Sequence, residues 1–332
     1  MKNRQITLAA RPVGFPQDSD FALVESEIPQ PGAGEVLVHV QWLSVDPYMR
    51  GRMSEARSYA QPTGLGEPMT GQAVGEVVES DDPRFAVGDT VVGQLGWQDF
   101  ALVRGGVLRK VDPSLAPPQA HLHALGATGL TAWFGLFDVA RPLPGDTVVV
   151  SGAAGAVGQI VGQLARIAGC RTVGIAGGPE KVADLTGVYG YDAGIDYKGD
   201  DVNAALKDSC PRGVDVYFDN VGGAISETVF RRLAVGARIA VCGQISQYNL
   251  VEPELAPRNL GFLIVFRARM QGFLVSDYAH RFGEGIARLG GLLADGRLTY
   301  REDVTEGLEH APAAFMGMLR GENRGKALVK LR

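Results

Sequence analysis

Residues 146–169 read DTVVVSGAAGAVGQIVGQLARIAG, and no other stretch restricts the fold as strongly. The unbroken apolar run Val148–Val150 has no polar alternation, which describes a strand buried on both faces, the situation of an interior strand in a parallel sheet. From Gly155 to Gly169 apolar residues recur at helical spacing. Between the two lies a turn of small residues. Taken from Ala153, it matches the dinucleotide fingerprint G-x-G-x-x-G with alanine in first place, followed by Gly155 and Gly158. Such residues let the backbone come close to a pyrophosphate and aim helix N–H groups at it. A tight turn without a ligand would use the same residues. The flanking strand and helix, however, have the type and order that the fingerprint requires.

The same alternation continues. RTVGIAG (171–177) runs into PEKVADLTGV (179–188), VDVYFDNVG (214–222) into AISETVFRRL (224–233), and ARIAVCG (237–243) follows. Strands alternating with helices imply a parallel sheet covered on both faces. HLHALGATGLTAWFGLFDVA (121–140) reads as one helix before this region, and 277–298 as the last helix after it. The preceding part differs: EVLVHVQWLSV (35–45), GQAVGEVVES (71–80), DTVVGQLGWQDFALV (89–103) and VLRKVDP (107–113) read as short strands broken by Gly and Pro. The aperiodic stretch 54–68 reads as a loop, a candidate lid. With 332 residues, two domains are expected. The boundaries implied are a β-rich domain over 1–120, a doubly wound α/β domain over 121–295, and a return of 296–332 to the first domain.

Several function classes drop out. A net charge of −5 argues against nucleic acid, which needs a concentrated positive surface. No apolar run approaches the roughly 20 residues that span a bilayer, and the start of the chain lacks the apolar core of a signal peptide. Cys170, Cys210 and Cys242 are widely spaced and odd in number, which fits a reducing, cytoplasmic compartment. The 45 glycines lie among apolar strands, where they serve turns and close approaches.

Cofactor choice is written in the next strand. An NAD site places Asp or Glu about 20 residues on, at the ribose 2′-hydroxyl. Here IAGGPEK puts Gly177 and Gly178 there, with Lys181 shortly after. A missing acid and a nearby lysine favour the 2′-phosphate of NADP(H), although Lys181 alone reads equally as an exposed helix lysine.

The stretches LSVDPYMRGRM, GQAVGEVVES, GATGLTAWFGL, SGAAGAVGQIVGQLARIAGC, YFDNVGG, VCGQISQYN, RMQGFLV and GENRGKALV together give the chain a family resemblance over nearly its whole length. It resembles the zinc-free medium-chain dehydrogenase/reductases, in particular the NADPH-dependent alkenal/enone reductases that include the prostaglandin reductases and bacterial curcumin reductase. The resemblance implies a GroES-like catalytic domain joined to a Rossmann domain, with the nucleotide in the cleft between them, and a homodimer formed through the edge near 272–275. It assigns Gly155, Ala156 and Val157 to the pyrophosphate, and Gly178, Lys181 and Tyr197 to the 2′-phosphate. Asn220, Cys242, Gly243, Gln244, Ile245, Ser246, Phe273, Leu274, Val275 and Asn323 would line the rest of the cofactor. The mammalian prostaglandin reductases carry a tyrosine eight residues before the position of Phe273; here that residue is Val265.

Zinc members of the superfamily take a cysteine from the region of 43–48 and a His–Glu pair after position 71. This chain has no cysteine in the first place and Gln72–Ala73 in the second, and its five histidines have no ligand spacing, so neither catalytic nor structural zinc is expected. Without a Lewis acid, conjugate reduction of an enone or enal is easier than alcohol oxidation, because the protein need only hold a developing enolate oxygen with hydrogen-bond donors in a dry slot. Tyr48 and Tyr248 are the candidate donors, each with an alternative reading as a packing residue. Asp46 and Arg50, four apart, read as an ion pair bracing the turn, and GFLIVF (261–266) as either a substrate-slot wall or strand core. The expected activity is NADPH-dependent reduction of the C=C bond of small hydrophobic α,β-unsaturated carbonyls. A quinone reductase and a non-catalytic NADPH-binding protein of crystallin or sensor type are the alternatives.

Overall fold

A computed structural model describes residues 2–257 and 259–331. Seven strands come first: β1 (Asn3–Leu8), β2 (Phe21–Ser26), β3 (Glu35–Ser44), β4 (Gln72–Ser80), β5 (Thr90–Gln94), β6 (Phe100–Arg104) and β7 (Arg109–Lys110). Six follow at intervals filled by helices: β8 (Thr147–Ser151), β9 (Arg171–Ala176), β10 (Ala193–Asp196), β11 (Val214–Asp219), β12 (Leu233–Val241) and β13 (Arg269–Gly272). Two more, β14 (Glu302–Glu306) and β15 (Lys326–Lys330), come last. The chain divides into a unit of residues 1–123 and 302–332 and a unit of residues 124–301.

In the first unit the sheet order is β14-β15-β3-β4-β5-β7, with β6 on β3, while β1 and β2 form a separate antiparallel pair. The ten-residue strand β3 is the organiser, pairing antiparallel with β4, β6 and β15. Its Val36, Val38, Val40 and Leu43 are fully buried, as the apolar spacing of the strand demands. Trp97 stacks on Phe21 at 6.1 Å and meets the edge of Phe315 at 5.9 Å, closing the core. The stretch 89–103 is two strands, because Gly96 at φ +70° turns the chain between β5 and β6.

The second unit carries a six-stranded sheet in the order β10-β9-β8-β11-β12-β13, parallel at every pairing. β8 is interior and all five of its residues are buried. The order reverses between β9 and β11 on either side of β8, and in open α/β sheets that switch point is where ligands bind, beyond the strands' carboxyl ends. Helices α1 (Met49–Arg52) in the first unit, and α2 (Ala127–Phe134), α3 (Gly158–Ile167), α4 (Pro179–Gly187), α5 (Val202–Ser209), α6 (Gly223–Phe230), α7 (Gly261–Val265) and α8 (Phe282–Ala294) in the second, lie between the strands; α9 (Ala311–Leu319) precedes β15. No helix among the described residues is long and apolar enough to cross a membrane.

Three sequence expectations change here. Residues 121–140 are not one helix. His121 lies in a 3₁₀ turn, Pro118–Leu122, α2 starts only after Gly126, and beyond Phe134 the backbone widens into a π turn ended by Arg141 at φ +52°. Gly135 opens that turn and packs closely, since a Cβ there would lie 2.8 Å from the Phe218 ring and closer still to the Phe273 ring. The last helix is shorter than 277–298, because Val275–Arg281 coil as 3₁₀. GFLIVF is not strand core: it is helical, with Phe262, Leu263 and Phe266 on the core while Ile264 and Val265 are 81% and 58% exposed. An apolar run of six residues has no period of its own, and the inward spacing of 262, 263 and 266 is that of a helix.

Candidate functional site

The turn after β8 is built for close backbone approach. Gly152 takes φ +60°, Ala153 donates its N–H to the Ile175 carbonyl of β9 at 3.0 Å, and α3 begins at Gly158. A Cβ on Gly158 would lie 2.6 Å from Ala153 Cα and closer still to the Gly152 carbonyl, so only glycine fits. Tyr191 donates its buried hydroxyl to the Gly158 carbonyl at 2.7 Å, and Gly162 lies flat on the same ring. Two buried glutamines of α3, Gln159 and Gln163, grip the backbone of Arg301 and Thr299. The first helical turn is thus fixed from both sides, with Gly155, Ala156 and Val157 at its mouth.

At the carboxyl end of β9, Gly178 sits at φ +95° and donates its N–H to Asp196 Oδ1 at 2.8 Å. The Tyr197 ring covers Gly177, where a Cβ would lie 2.8 Å from it. Lys181 is half-buried in the first turn of α4. An acid does reach this corner, from β10 rather than β9. Asp196 spends Oδ1 on the Gly178 and Lys198 N–H groups, and those bonds hold its carboxyl below the usual range.

Sequence reasoning missed the residue that organises the ends of β8 and β11. Asp219 is 2% exposed; its Oδ1 accepts from Ser151 Oγ at 2.9 Å, Tyr217 Oη at 2.9 Å, and the Val221 and Gly222 N–H groups at 3.0 Å, and its Oδ2 from Ser226 Oγ at 2.6 Å. Its carbonyl accepts from Cys242 and Gly243 N–H, tying in the end of β12. A buried carboxylate must be compensated in this way, and an Asp closing the apolar strand VDVYFD was the available signal. Asn220 donates its side-chain amide to the Ser151 carbonyl at 2.8 Å, while Ile245 and Ser246 lie along 220–221 through N–H bonds to the Asn220 and Val221 carbonyls. The Gln244 N–H donates to the Tyr248 hydroxyl at 3.2 Å. Burial, with the nearby Asp219 charge, pushes the Cys242 thiol up to about 12, so it stays a thiol. Phe273 follows β13 and meets Phe218 edge-on at 6.2 Å, with Leu274 and Val275 half-buried beyond it. All these residues lie at the carboxyl ends of the parallel strands or just beyond.

Tyr48 and Asn323 belong to the first unit. Asn323 donates to the Gly325 carbonyl of its own turn. Tyr48 stands at the start of α1; its hydroxyl is buried beside the Gln94 amide with no hydrogen bond of normal geometry among the described residues. Burial first, and the Asp46 charge second, raise the phenol well above its ordinary pKa, so it is protonated at any physiological pH. Arg52 lies 5.7 Å from the Tyr48 ring centre and 4.5 Å from that of Tyr59. The expected Asp46–Arg50 pair does not form. Arg50 donates to the Gly14 and Pro12 carbonyls, and Asp46 pairs with Lys326 at 2.8 Å. A spacing of four makes neighbours only within a helix, and Asp46 and Pro47 precede α1.

Both His121 and His123 are buried, and burial pushes the His121 imidazole down to about 4. Glu302 lies 3.9 Å from His123 Nδ1, and burial lifts its carboxyl to about 6, opposed by Gln119 and Lys326. Between about pH 4.5 and 6 the folded chain therefore holds this proton more tightly than the unfolded one, and Glu302 costs stability as pH rises through that window. Glu302→Gln is expected to raise the unfolding free energy by about 2 kcal/mol at pH 8 and by almost nothing below pH 4.5, read from urea titrations at the two pH values.

Among the described residues no three of His, Cys, Asp and Glu are grouped so as to hold a metal, and Cys170 and Cys210 are buried separately. The small-residue turn after β8, leading into the start of α3, has the chemistry that a nucleotide pyrophosphate needs.

Comparison with known proteins gives two family matches: residues 4–111 match an N-terminal domain of oxidoreductases, and residues 156–290 a domain described as zinc-binding dehydrogenase. The chain is 42% identical to the NADPH-dependent curcumin reductase of Escherichia coli, over 99% of this chain and 97% of that protein. It is 41% identical to the NADP-dependent 2-alkenal reductase of Nicotiana tabacum, with the same two coverages. The crystal structure of CurA from Vibrio vulnificus in complex with NADPH superposes with a TM-score of 0.95 at 45% identity, covering 99% of each chain.

Proposed function

The chain belongs to the medium-chain dehydrogenase/reductase superfamily, in its branch of NADP-dependent alkenal/enone reductases, and from that premise we propose that it reduces the carbon–carbon double bond of α,β-unsaturated aldehydes and ketones with NADPH, without zinc. The observation that carries the substrate class is the identity, over 99% of the chain, to two reductases named for conjugated carbonyl substrates. The turn after β8 would hold the pyrophosphate, and Gly178, Lys181 and Tyr197 the 2′-phosphate. Asn220, Cys242–Ser246, Phe273–Val275 and Asn323 would meet the rest of the nucleotide. When bound, NADPH supplies the hydride that goes to the β-carbon. The protein's part is to take up the charge that moves to the carbonyl oxygen. Tyr48 suits this role: its hydroxyl is protonated, buried and uncommitted, and a donor placed where charge develops stabilises the transition state without reorganising. Tyr248, in the other unit, is the second candidate donor.

Chelator-dialysed protein incubated with NADPH and a panel of enones, enals and, anaerobically, quinones tests this reading. Enone- and enal-dependent NADPH oxidation supports it. Quinone-only activity, or none, refutes it.

Lys181→Ala is expected to raise the NADPH dissociation constant at least tenfold, about the strength of a charge-assisted phosphate contact, while NADH binding stays within about twofold. Fluorescence titration of the two nucleotides reads the difference, and equal losses would remove the 2′-phosphate assignment. The same reading places the enzyme in the reducing cytoplasm as a homodimer joined through β13, an edge strand with all four residues exposed. Sedimentation velocity measures that state directly.

A further inference from the structure

Two residues before Tyr48, Asp46 forms a buried ion pair that the proposed chemistry leaves unused. Lys326 opens β15 and is 1% exposed; its Nζ donates to the Val45 carbonyl at 2.7 Å and to Asp46 Oδ1 at 2.8 Å. Ser44 Oγ donates to the other Asp46 oxygen, Oδ2. The backbone joins in. Val45 N–H donates to the Ala327 carbonyl at 3.2 Å, continuing the β15–β3 pairing that sets Leu328 opposite Ser44, and Met49 N–H donates to the Asp46 carbonyl at 3.1 Å. On its other side Lys326 is in register with Glu302 of β14. Among the described residues the hydrogen bonds on the segment Val45–Asp46 thus come from β3, β15 or the first turn of α1, and Tyr48 is two residues on.

Burying a lysine and an aspartate together is a poor way to gain stability, since desolvation offsets most of their attraction and an apolar pair of similar volume often serves as well. What such a pair does supply is a fixed geometry. The Tyr48 hydroxyl needs its position fixed through the backbone, because among the described residues nothing holds it by a hydrogen bond of normal geometry.

We propose that Lys326 is a positioning residue for catalysis: through Asp46 and the Val45 carbonyl it sets the turn that presents the Tyr48 hydroxyl to the substrate's carbonyl oxygen. The inference rests on Tyr48 being a donor, and its test separates the two.

The pair is replaced as a whole, Lys326→Met with Asp46→Leu, so that no charge is left alone in the core, and the change is made in wild type and in Tyr48→Phe. Melting temperature and NADPH affinity report folding; kcat and KM for an enone report function. The double replacement is expected to melt as a folded protein, bind NADPH within about twofold of wild type, and lose at least about tenfold in kcat with little change in KM, the pattern of a lost transition-state contact. In the Tyr48→Phe background it should cost nothing further, because residues acting as one unit are not additive. An unchanged kcat, or the same loss again in the Tyr48→Phe background, would overturn the proposal. Full activity of Tyr48→Phe alone would instead remove the donor reading, and this inference with it. If the pair variant does not fold, Ser44→Ala relaxes the same carboxylate without stranding a charge. Its kcat should fall a few-fold in wild type and not in Tyr48→Phe, and equal effects in both would refute the positioning role.

Discussion

Tyr48→Phe is expected to lower kcat for enone reduction by about a hundredfold, the usual effect of deleting one donor from an oxyanion site. KM and the NADPH dissociation constant should stay within about twofold. The substitution removes one oxygen and leaves the ring in its packing beside Arg52. That oxygen has no hydrogen bond of normal geometry to lose, so folding should be unharmed or slightly improved. A purely structural tyrosine would give the opposite pattern, with stability changed and kcat retained. Because the phenol is pushed well above its ordinary pKa, activity should show no alkaline limb from Tyr48 below about pH 10. Tyr248→Phe tests the second donor, and the double variant shows whether the two share the load.

The second large effect belongs to Asp219. Asp219→Ala takes the acceptor from the Ser151 hydroxyl, from one of the Tyr217 and Ser226 hydroxyls, which keep a 3.0 Å bond to each other, and from two N–H groups, on Val221 and Gly222, in a buried place. Each orphaned polar group costs roughly 1–3 kcal/mol unless water reaches it, so the loss should be on the order of several kcal/mol, a large part of the stability of an ordinary domain. Asp219→Asn keeps the shape and an acceptor at Oδ1, and its amide can face Ser226, so it should lose much less. Thermal melts of the two variants measure the difference. Where the alanine variant still folds, its NADPH affinity should fall more than its melting temperature alone suggests, since the carboxylate holds the Val221 and Gly222 N–H groups directly and the Asn220 N–H through Ser151 Oγ. Equal, mild effects of both substitutions would show that Asp219 is not the keystone of the strand ends.

What could be read from the sequence was local. The all-apolar strand at 147–151, its small-residue turn and the helix after it are short-range signals, and the parallel sheet follows from their repetition. Tyr48 was found through the resemblance of the segment around it, and its buried hydroxyl is a fact of packing that no spacing encodes. Misreadings arose where a local pattern competed with distant partners. Asp46 and Arg50 have the spacing of an ion pair, but the lysine that takes Asp46 is 280 positions away. Asp219 gains its role from Ser151, 68 positions earlier, and from Ser226 on α6. In GFLIVF too few residues were available to distinguish a period of two from one of 3.6, and the core beneath it decided.

Deuterium supplied from the transferable position of NADPH follows the chemistry atom by atom. With an α,β-unsaturated ketone as substrate, the account requires a saturated ketone carrying the deuterium on its β-carbon and a solvent proton on its α-carbon, seen by NMR of the product. An allylic alcohol with deuterium on the former carbonyl carbon, or no consumption of the labelled NADPH, would contradict it.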